Sequence, residues 1–238
     1  MLVHSIESLA ALDGEGLRYE IFLAGCPLRC IYCHNPDTWT RASGKEMSEE
    51  ELLKKIKRYV PYFGDDGGVT FSGGEPLLQA GSINILGSML KKEGINYALD
   101  TSGCIELTDE VKDAVKGADT VICDLKFPDR ELMKKNTTGD LDLVLNFLDF
   151  LRSIKKKTWI RTVIVPGIND STEMLDRYIE VLKPYKDIIK KYELLGFHTM
   201  GFYKYDNLGI KNPLEGVSAL DPDKLIELKK YIASRKPD

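Results

Sequence analysis

The sequence predicts an α/β fold: an open, partial (β/α)6 barrel built on a parallel sheet. Six apolar segments with strand character are each followed by a helical pattern or a loop, and such βα units pair into parallel sheets. Right-handed connections curl the sheet toward a barrel, but six units are too few to close an eight-fold one. Because the chain shows no internal repeat and no linker rich in Gly, Ser or Pro, we expect one domain over residues 1–238.

The predicted strands and helices alternate along the chain. Ser48 followed by Glu51 has capping-box spacing, Thr108 is a second N-cap, and Gly94 and Gly117 end their helices. The domain core is expected at about 12–210, with a closing helix at 221–235. The predicted strands are 17–24, 68–74, 96–103, 120–127, 158–167 and 188–198, and the other helices are 48–60, 83–94, 108–117, 140–157 and 171–183.

Composition excludes several classes of protein. Hydrophobic residues make up 43% and charged residues 29%, which argues against disorder. The net charge of −4 and isoelectric point near 5.6 argue against nucleic-acid binding through overall positive charge. No apolar run approaches the ~18–20 residues that cross a bilayer, and no basic leader precedes an apolar stretch. We therefore expect a cytoplasmic protein with no membrane partner, in a compartment where thiols stay reduced.

The cysteines carry the first functional signal. Cys26, Cys30 and Cys33 have the spacing C-x3-C-x2-C within GCPLRCIYCHN, while Cys104 and Cys123 stand alone. An odd number of cysteines in a reducing compartment argues against a disulfide framework. Three interpretations compete for the loop: simple buried cysteines, a zinc site formed by Cys30 and Cys33 with His34 or Cys26 beside them, or an iron–sulfur cluster.

The absence of a second ligand pair weighs against structural zinc, which takes a closed set of four. Iron–sulfur clusters are held by clustered thiolates, normally four. Three thiolates would hold three irons of a cubane and leave the fourth open to a ligand. Cys104 and Cys123 are best interpreted as small core residues. Either one as a fourth ligand would instead make the protein an electron carrier.

Polar residues follow the predicted strands at their carboxyl ends, where parallel sheets carry their functional groups. SGGEP allows close backbone approach to a ligand, although alone it is compatible with an ordinary glycine turn. Asp124 and Lys126 share a strand face, which suits a mutual ion pair or a bound zwitterion. The residues at this edge are Ser72, Gly73, Gly74, Glu75, Asp100, Thr101, Asp124, Lys126, Arg161 and His198.

Three single residues and one short loop have open interpretations. Arg161 in an apolar strand needs an anion, and a carboxylate held by two hydrogen bonds is its natural partner. His198 is a structural residue or a ribose or substrate contact, and His34 is placed to tune a cluster by hydrogen bonding. DGEG at 13–16 is a turn or a loop that meets a partner.

The cysteine loop, with Tyr32 just before its last cysteine, resembles that of radical S-adenosylmethionine (SAM) enzymes. Within that class the chain is similar to the glycyl-radical-enzyme activating enzymes over about Leu12 to Ile210. The matching stretches are LDGEGLR, GCPLRCIYCHNPDTW, GGVTFSGGEPLLQ, ALDTSG, VICDLK, WIRTVIVPGIND and LLGFHTMGFYKYDNLGI.

The resemblance implies a role for each matching residue. Cys26, Cys30 and Cys33 would hold a 4Fe–4S cluster, with Tyr32 among the cofactor-binding residues. Gly73, Gly74 and Glu75 would contact the methionyl amino end of SAM, Lys126 and Arg161 its carboxylate side, and His198 its ribose. A monovalent cation, Na⁺ or K⁺, would bind Asp100, Thr101, the Ile122 carbonyl and Asp124. Asp13 and His34 would contact the protein substrate.

The resemblance also implies an oxidoreductase reaction and partners. A cluster reduced by flavodoxin or ferredoxin would cleave SAM to a 5′-deoxyadenosyl radical, which abstracts a glycine α-hydrogen from a glycyl-radical enzyme. No cysteine lies between Cys33 and Cys104, so an inserted ferredoxin-like segment is absent, which favours pyruvate formate-lyase as partner and a place in anaerobic glucose metabolism. Glu15, Gly196 and Phe197 depart from the family pattern and bear on the choice of partner. The alternatives are another glycyl-radical enzyme, a different substrate, or an electron-transfer protein.

Overall fold

The computed structural model describes residues 1–235, and these contain one eight-stranded sheet of order β3-β1-β2-β4-β5-β6-β7-β8. β2 and the strands β4 to β8 pair in parallel. The strand order begins at β3 and ends at β8, so the sheet is open and the predicted partial barrel is confirmed. The strands are β1 Leu2–Ala10, β2 Arg18–Leu23, β3 Lys45–Glu46, β4 Gly68–Gly73, β5 Asn96–Thr101, β6 Thr120–Asp124, β7 Thr158–Ile164 and β8 Ile189–Gly196.

Two antiparallel strands precede or flank the six predicted ones and were not predicted. β1 pairs with β2, with Glu7 opposite Glu20 and Ala10 opposite Arg18, and the two-residue β3 pairs with β1. Burial along β1 alternates between covered and exposed residues, as expected for a strand with one solvated face. The sequence did not reveal this strand, because the apolar residues of LVHSIESLA do not alternate strictly with polar ones.

The six predicted helices are present, and their caps agree with the sequence. The Ser48 hydroxyl accepts the Glu51 amide at 3.1 Å, and Thr108 accepts the Val111 amide at 3.3 Å. Three shorter helices, α2, α5 and α8, were not predicted. No helix in residues 1–235 is long and apolar enough to cross a bilayer. The helices are α1 Glu49–Ile56, α2 Val60–Phe63, α3 Ala80–Lys92, α4 Asp109–Gly117, α5 Arg130–Thr137, α6 Leu141–Ser153, α7 Thr172–Leu182, α8 Phe202–Leu208 and α9 Pro222–Ser234; residues 236–238 of the predicted domain lie outside the described part.

The two-residue period of the strands divides the sheet into two faces. One face belongs to the hydrophobic core, with fully buried residues such as Leu99, Cys123 and Ile160. The alternate residues line a cavity of about 710 Å³. Polar residues from β2 to β8 therefore meet inside the partial barrel, among them Glu20, Ser72, Asp100, Asp124, Arg161 and Glu193.

Candidate cluster and cofactor site

The three clustered cysteines lie in a loop that begins as β2 ends. Gly25, at φ +105°, turns the chain out of the strand. The loop is held on both sides, because the Cys26 amide donates to Trp39 O at 3.1 Å and the Ile31 amide donates to Asn136 O at 2.9 Å. All three thiols are free, and the three residues line the 710 Å³ cavity.

Burial controls the protonation of these thiols. It raises the pKa of Cys26 to about 11 and that of Cys30 to about 12, and it also raises the pKa of Cys33. The nearby Lys126 ammonium opposes the shift at each thiol. The thiols are therefore neutral until a metal centre displaces their protons, which is how metal binding couples to deprotonation.

Gly73 and Gly74 fit the end of β4 against the cysteine loop. A Cβ on Gly73 would lie 2.3 Å from the Leu23 nitrogen, and one on Gly74 would lie 2.2 Å from the Gly25 carbonyl oxygen. Neither position has room for a side chain, and Gly73 has φ +109°. Both glycines line the cavity, so their backbone is exposed to a ligand beside the thiols.

Within residues 1–235, three buried polar atoms in the cavity wall make no hydrogen bond: the Tyr32 hydroxyl, His198 Nδ1 and Arg161 Nε. Arg161 Nε has Asp124 as an ion-pair partner, which leaves the other two atoms unpaired. Both residues line the cavity, and the Lys126 ammonium lies 5.9 Å from the Tyr32 ring centroid. Unsatisfied buried polar groups are costly. Free thiols, exposed glycine backbone and unpaired polar atoms therefore fit a bound cluster and a polar cofactor.

An ion network crosses the cavity below the cysteine loop. Arg161 Nη1 donates to Asp13 Oδ1 at 2.7 Å, and Nη2 donates to Asp100 Oδ1. Arg161 Nε lies 3.4 Å from Asp124 Oδ1, an ion pair without hydrogen-bond geometry. Lys126 pairs with Asp124 at 3.0 Å, which is one of the two arrangements that the sequence left open. The anions around Arg161 are thus carboxylates of the chain itself.

The network shifts the pKa values of two of its carboxylates in opposite directions. Burial raises the pKa of Asp100 to about 6, and the Arg161 charge only partly offsets it. Burial also opposes ionisation of Asp124, but Lys126 and Arg161 outweigh it, so the pKa of Asp124 is lowered.

Glu20 is a site residue that the sequence reasoning missed. It is 2% exposed, lines the cavity, and has a carboxylate oxygen within 4.8 Å of those of Asp13 and Asp100. Burial and these neighbouring carboxylates raise its pKa to about 9, so it is protonated at neutral pH. The available signal was one acidic residue within the apolar strand RYEIFL.

The Glu75 carboxylate is turned away from the cavity. It is fully buried and accepts hydrogen bonds from Thr101 Oγ1 at 2.7 Å, from the Ser102 amide at 2.9 Å and hydroxyl at 2.5 Å, and from the Leu77 amide at 3.1 Å. Ile122 is also fully buried. Neither Glu75 nor Ile122 lines the cavity, whereas Asp100, Thr101, Asp124, Lys126, Arg161 and His198 do.

His34 and His198 form one unit, although 164 residues separate them. Their rings stack with centroids 3.7 Å apart and planes 13° apart. The ring nitrogen His34 Nε2 donates to the His198 carbonyl at 2.9 Å. Burial lowers the pKa of both side chains, so both are neutral at pH 7. Cys104 and Cys123, by contrast, do not line the cavity.

Comparison with known proteins identifies the class. The profile of the Radical SAM superfamily matches residues 21–198, so the chain belongs to this superfamily. SuiB of Streptococcus suis, bound to its precursor peptide SuiA, superposes with a TM-score of 0.71 at 16% identity, over 98% of this chain and 47% of that one. A domain of pyruvate-formate lyase-activating enzyme from Bacteroides vulgatus gives 0.55 at 20% identity, over 71% of this chain and 94% of that one. These two likenesses establish the fold.

Sequence relatives narrow the assignment. The pyruvate formate-lyase-activating enzyme of Clostridium pasteurianum is 42% identical over 231 residues, which are 97% of this chain and 96% of the relative. That of Staphylococcus epidermidis is 40% identical over 240 residues, 97% of this chain and 94% of the relative. Within the superfamily, the chain belongs to the pyruvate formate-lyase-activating enzymes.

Proposed function

We propose that this chain is a radical SAM activase that installs a glycyl radical on pyruvate formate-lyase. When bound, a 4Fe–4S cluster supplies the electron that cleaves SAM, and the resulting 5′-deoxyadenosyl radical removes a glycine α-hydrogen. The observation that carries the proposal is one cavity shared by three free thiols, the Gly73–Gly74 backbone and two unpaired buried polar atoms.

The chain's own residues bind and orient the reactants. Cys26, Cys30 and Cys33 hold three irons. The Gly73 and Gly74 backbone accepts hydrogen bonds from the SAM amino group, and Lys126 lies on the side of its carboxylate. The Tyr32 hydroxyl and His198 Nδ1 have no hydrogen-bond partner in the protein, and the cofactor would supply one to each. The cavity lies inside the partial barrel, whose walls limit the access of water to a reactive species.

A monovalent cation, Na⁺ or K⁺, completes the proposed cofactor set. Its expected ligands are Asp100, Thr101, Asp124 and the Ile122 carbonyl. Five acidic side chains, Asp13, Glu20, Asp100, Asp124 and Glu193, line the cavity, together with three basic ones, Lys126, Arg161 and Lys191. Carboxylate and carbonyl oxygens suit hard cations. Asp100 already accepts hydrogen bonds from Arg161 and Ser72, and Asp124 accepts one from Lys126, so the ion would share these oxygens with their present donors.

The partner protein must deliver a glycine α-carbon into this cavity. Leu12 and Met200 are 80% and 73% exposed, and both line the cavity. Exposed large apolar side chains beside a site favour a protein contact. Together with Asp13 and His34, they form the proposed contact surface for the glycine-bearing loop. Flavodoxin or ferredoxin is the proposed reductant, and the cytoplasm the proposed compartment.

The proposal is tested by anaerobic reconstitution with iron and sulfide, followed by SAM, dithionite and pyruvate formate-lyase. Electron spin resonance should detect a glycyl radical on the lyase. Cys30→Ala should abolish cluster assembly, SAM cleavage and the radical while leaving the fold intact, whereas Cys104→Ala should retain all three. Cleavage retained in Cys30→Ala would contradict the cluster assignment. SAM cleavage without any radical on the lyase would contradict the choice of partner.

The second candidate function is a non-catalytic electron-transfer protein with four cysteine ligands. It requires Cys104 or Cys123 at the cluster. Cys123 lies in the hydrophobic core on the opposite face of β6 from Asp124, and Cys104 Sγ accepts the Asp140 amide at 3.3 Å. These placements favour the activase.

A further inference from the structure

The loop of residues 11–16, which carries Asp13, is wrapped around a buried guanidinium. Arg18 is only 2% exposed. Its Nη1 donates to the Glu15 carbonyl at 3.2 Å, and its Nε donates to Thr70 Oγ1 at 3.0 Å. The Thr70 hydroxyl in turn donates to the Asp13 carbonyl at 2.7 Å. A chain of two hydrogen bonds therefore runs from Arg18 through Thr70 to the backbone of Asp13.

Arg18 itself is fixed to the sheet. Nη2 donates to the Val69 carbonyl at 2.5 Å, and Nη1 donates to Asn96 Oδ1 at 2.7 Å and to the Asp66 carbonyl at 3.2 Å. These partners lie at the starts of β4 and β5 or just before β4. Burial lowers the pKa of Arg18 only to about 10, so the side chain is charged at neutral pH.

Two glycines allow the loop to approach Arg18 this closely. A Cβ on Gly14 would lie 3.0 Å from Arg18 Nε, and one on Gly16 would lie 2.5 Å from the Gly67 nitrogen. Both glycines have positive φ, +139° and +67°, which other residues rarely adopt. The loop therefore has one well-defined path over the guanidinium.

Asp13 is held from both of its polar ends. Thr70 binds its carbonyl, and Arg161, a wall residue of the cavity, binds its carboxylate at 2.7 Å. Leu12, next to it, is 80% exposed. A loop that is rigidly held and yet presents an uncovered apolar side chain is preorganised for a contact, and preorganisation lowers the entropic cost of binding.

We propose that Arg18 and Thr70 are positioning residues that hold the 11–16 loop in the conformation that receives the glycine-bearing loop of the protein substrate. The inference rests on the proposed function. Neither side chain lines the cavity, so both act through Asp13 and Leu12. At Asp13 the pair acts in series, because Arg18 reaches the Asp13 carbonyl through the Thr70 hydroxyl; Arg18 also holds the loop directly at the Glu15 carbonyl.

The test compares Thr70→Val, which removes the hydroxyl at nearly constant volume, with Thr70→Ser, which retains it. For Thr70→Val, the pyruvate formate-lyase concentration that gives half-maximal radical formation should rise about 10-fold, the worth of one hydrogen bond. SAM cleavage by dithionite without the lyase should stay within about 2-fold. Thr70→Ser should behave as the unmodified chain. Thr162→Val, at a buried threonine bonded to the Leu125 carbonyl, is the matched control and should change neither quantity.

A double variant tests the serial arrangement. If Arg18 acts through Thr70, the double variant Arg18→Lys, Thr70→Val should raise the half-maximal lyase concentration no more than the worse single variant does. Costs that multiply would contradict the relay. An unchanged half-maximal concentration in Thr70→Val, or an equal loss of SAM cleavage and radical formation, would overturn the positioning role.

Hydrogen exchange separates failure of this inference from failure of the proposed function. Without any substrate, amides in residues 11–16 should exchange about 10-fold faster in Thr70→Val than in the unmodified chain and Thr70→Ser. Exchange unchanged by Thr70→Val would overturn the inference. If the unmodified chain makes no radical on the lyase but Thr70→Val still shows the faster exchange, then Thr70 does hold the 11–16 loop, and pyruvate formate-lyase is not the partner.

Discussion

The buried carboxylate of Glu75 offers the sharpest test of how the site is built. Glu75→Gln keeps the size of the side chain but replaces one carboxylate oxygen with an NH2 group. Oε1 now accepts from Thr101 and the Leu77 amide, and Oε2 accepts from the Ser102 amide and hydroxyl. With NH2 at the second position, the Ser102 amide faces another donor. The variant loses one charge-assisted bond and leaves a buried N–H unpaired, which costs about 3–5 kcal/mol.

For a chain of this size, that loss lowers the melting temperature by about 10 °C. Calorimetry or circular dichroism on the cluster-free protein measures it directly. Glu93→Gln, at an exposed carboxylate paired with Lys57, is the control and should shift the free energy of unfolding by less than about 1 kcal/mol. A Glu75→Gln protein that melts normally but binds SAM poorly would refute this reasoning, because the carboxylate would then contact the cofactor directly.

Three further substitutions test neighbouring parts of the site. Gly74→Ala should reduce iron bound after reconstitution at least several-fold, since its Cβ would lie 2.2 Å from the Gly25 carbonyl and 3.2 Å from Cys26 Cβ; normal iron content would contradict this packing. Arg161→Ala should lower the affinity for SAM roughly 10-fold or more and should affect cluster assembly less. The reason is that Asp13, Asp100 and Asp124 lose their shared cation. An unchanged SAM affinity, measured by calorimetric titration, would contradict this. Glu20→Gln should stabilise the cluster-free protein increasingly as pH rises from about 5 toward 8.5, by up to about 1.4 kcal/mol per pH unit. The folded-state pKa of Glu20 is raised from 4.5 to about 9, so the native chain loses stability over this range while the glutamine variant does not. If urea unfolding gives the same difference in unfolding free energy between Glu20→Gln and the unmodified chain at every pH, then Glu20 is not held neutral.

Much of the fold follows from local pattern. The six parallel strands and six main helices were predictable because βα units repeat the same hydrophobic periods and end at caps such as Ser48 and Thr108. β1 was not predictable, because the apolar residues of LVHSIESLA do not alternate with polar ones and so show no two-residue period. α5, RELMKKNT, begins at Asp129, which caps the Leu132 amide at 2.8 Å, but its sequence is mostly polar.

Part of the candidate site was likewise predictable from the sequence, and part was not. Residues at the carboxyl ends of strands could be assigned to one edge, because parallel topology brings those ends together. The contact of Arg161 with Asp13 could not be predicted, because the two residues are 148 positions apart and no local pattern encodes their contact. Glu20 faces the cavity, and Glu75 is hydrogen-bonded within the protein. Both placements depend on tertiary contacts, which the local sequence does not reveal.

The central claim is that the three thiols hold a cluster with one iron left for SAM. The most direct measurement is electron spin resonance of the reduced, reconstituted protein before and after SAM is added, in the unmodified chain and in a Cys104→Ala, Cys123→Ala double variant. The account predicts a 4Fe–4S signal that changes on adding SAM and is the same in both proteins. A signal insensitive to SAM, or one lost in the double variant, would contradict it.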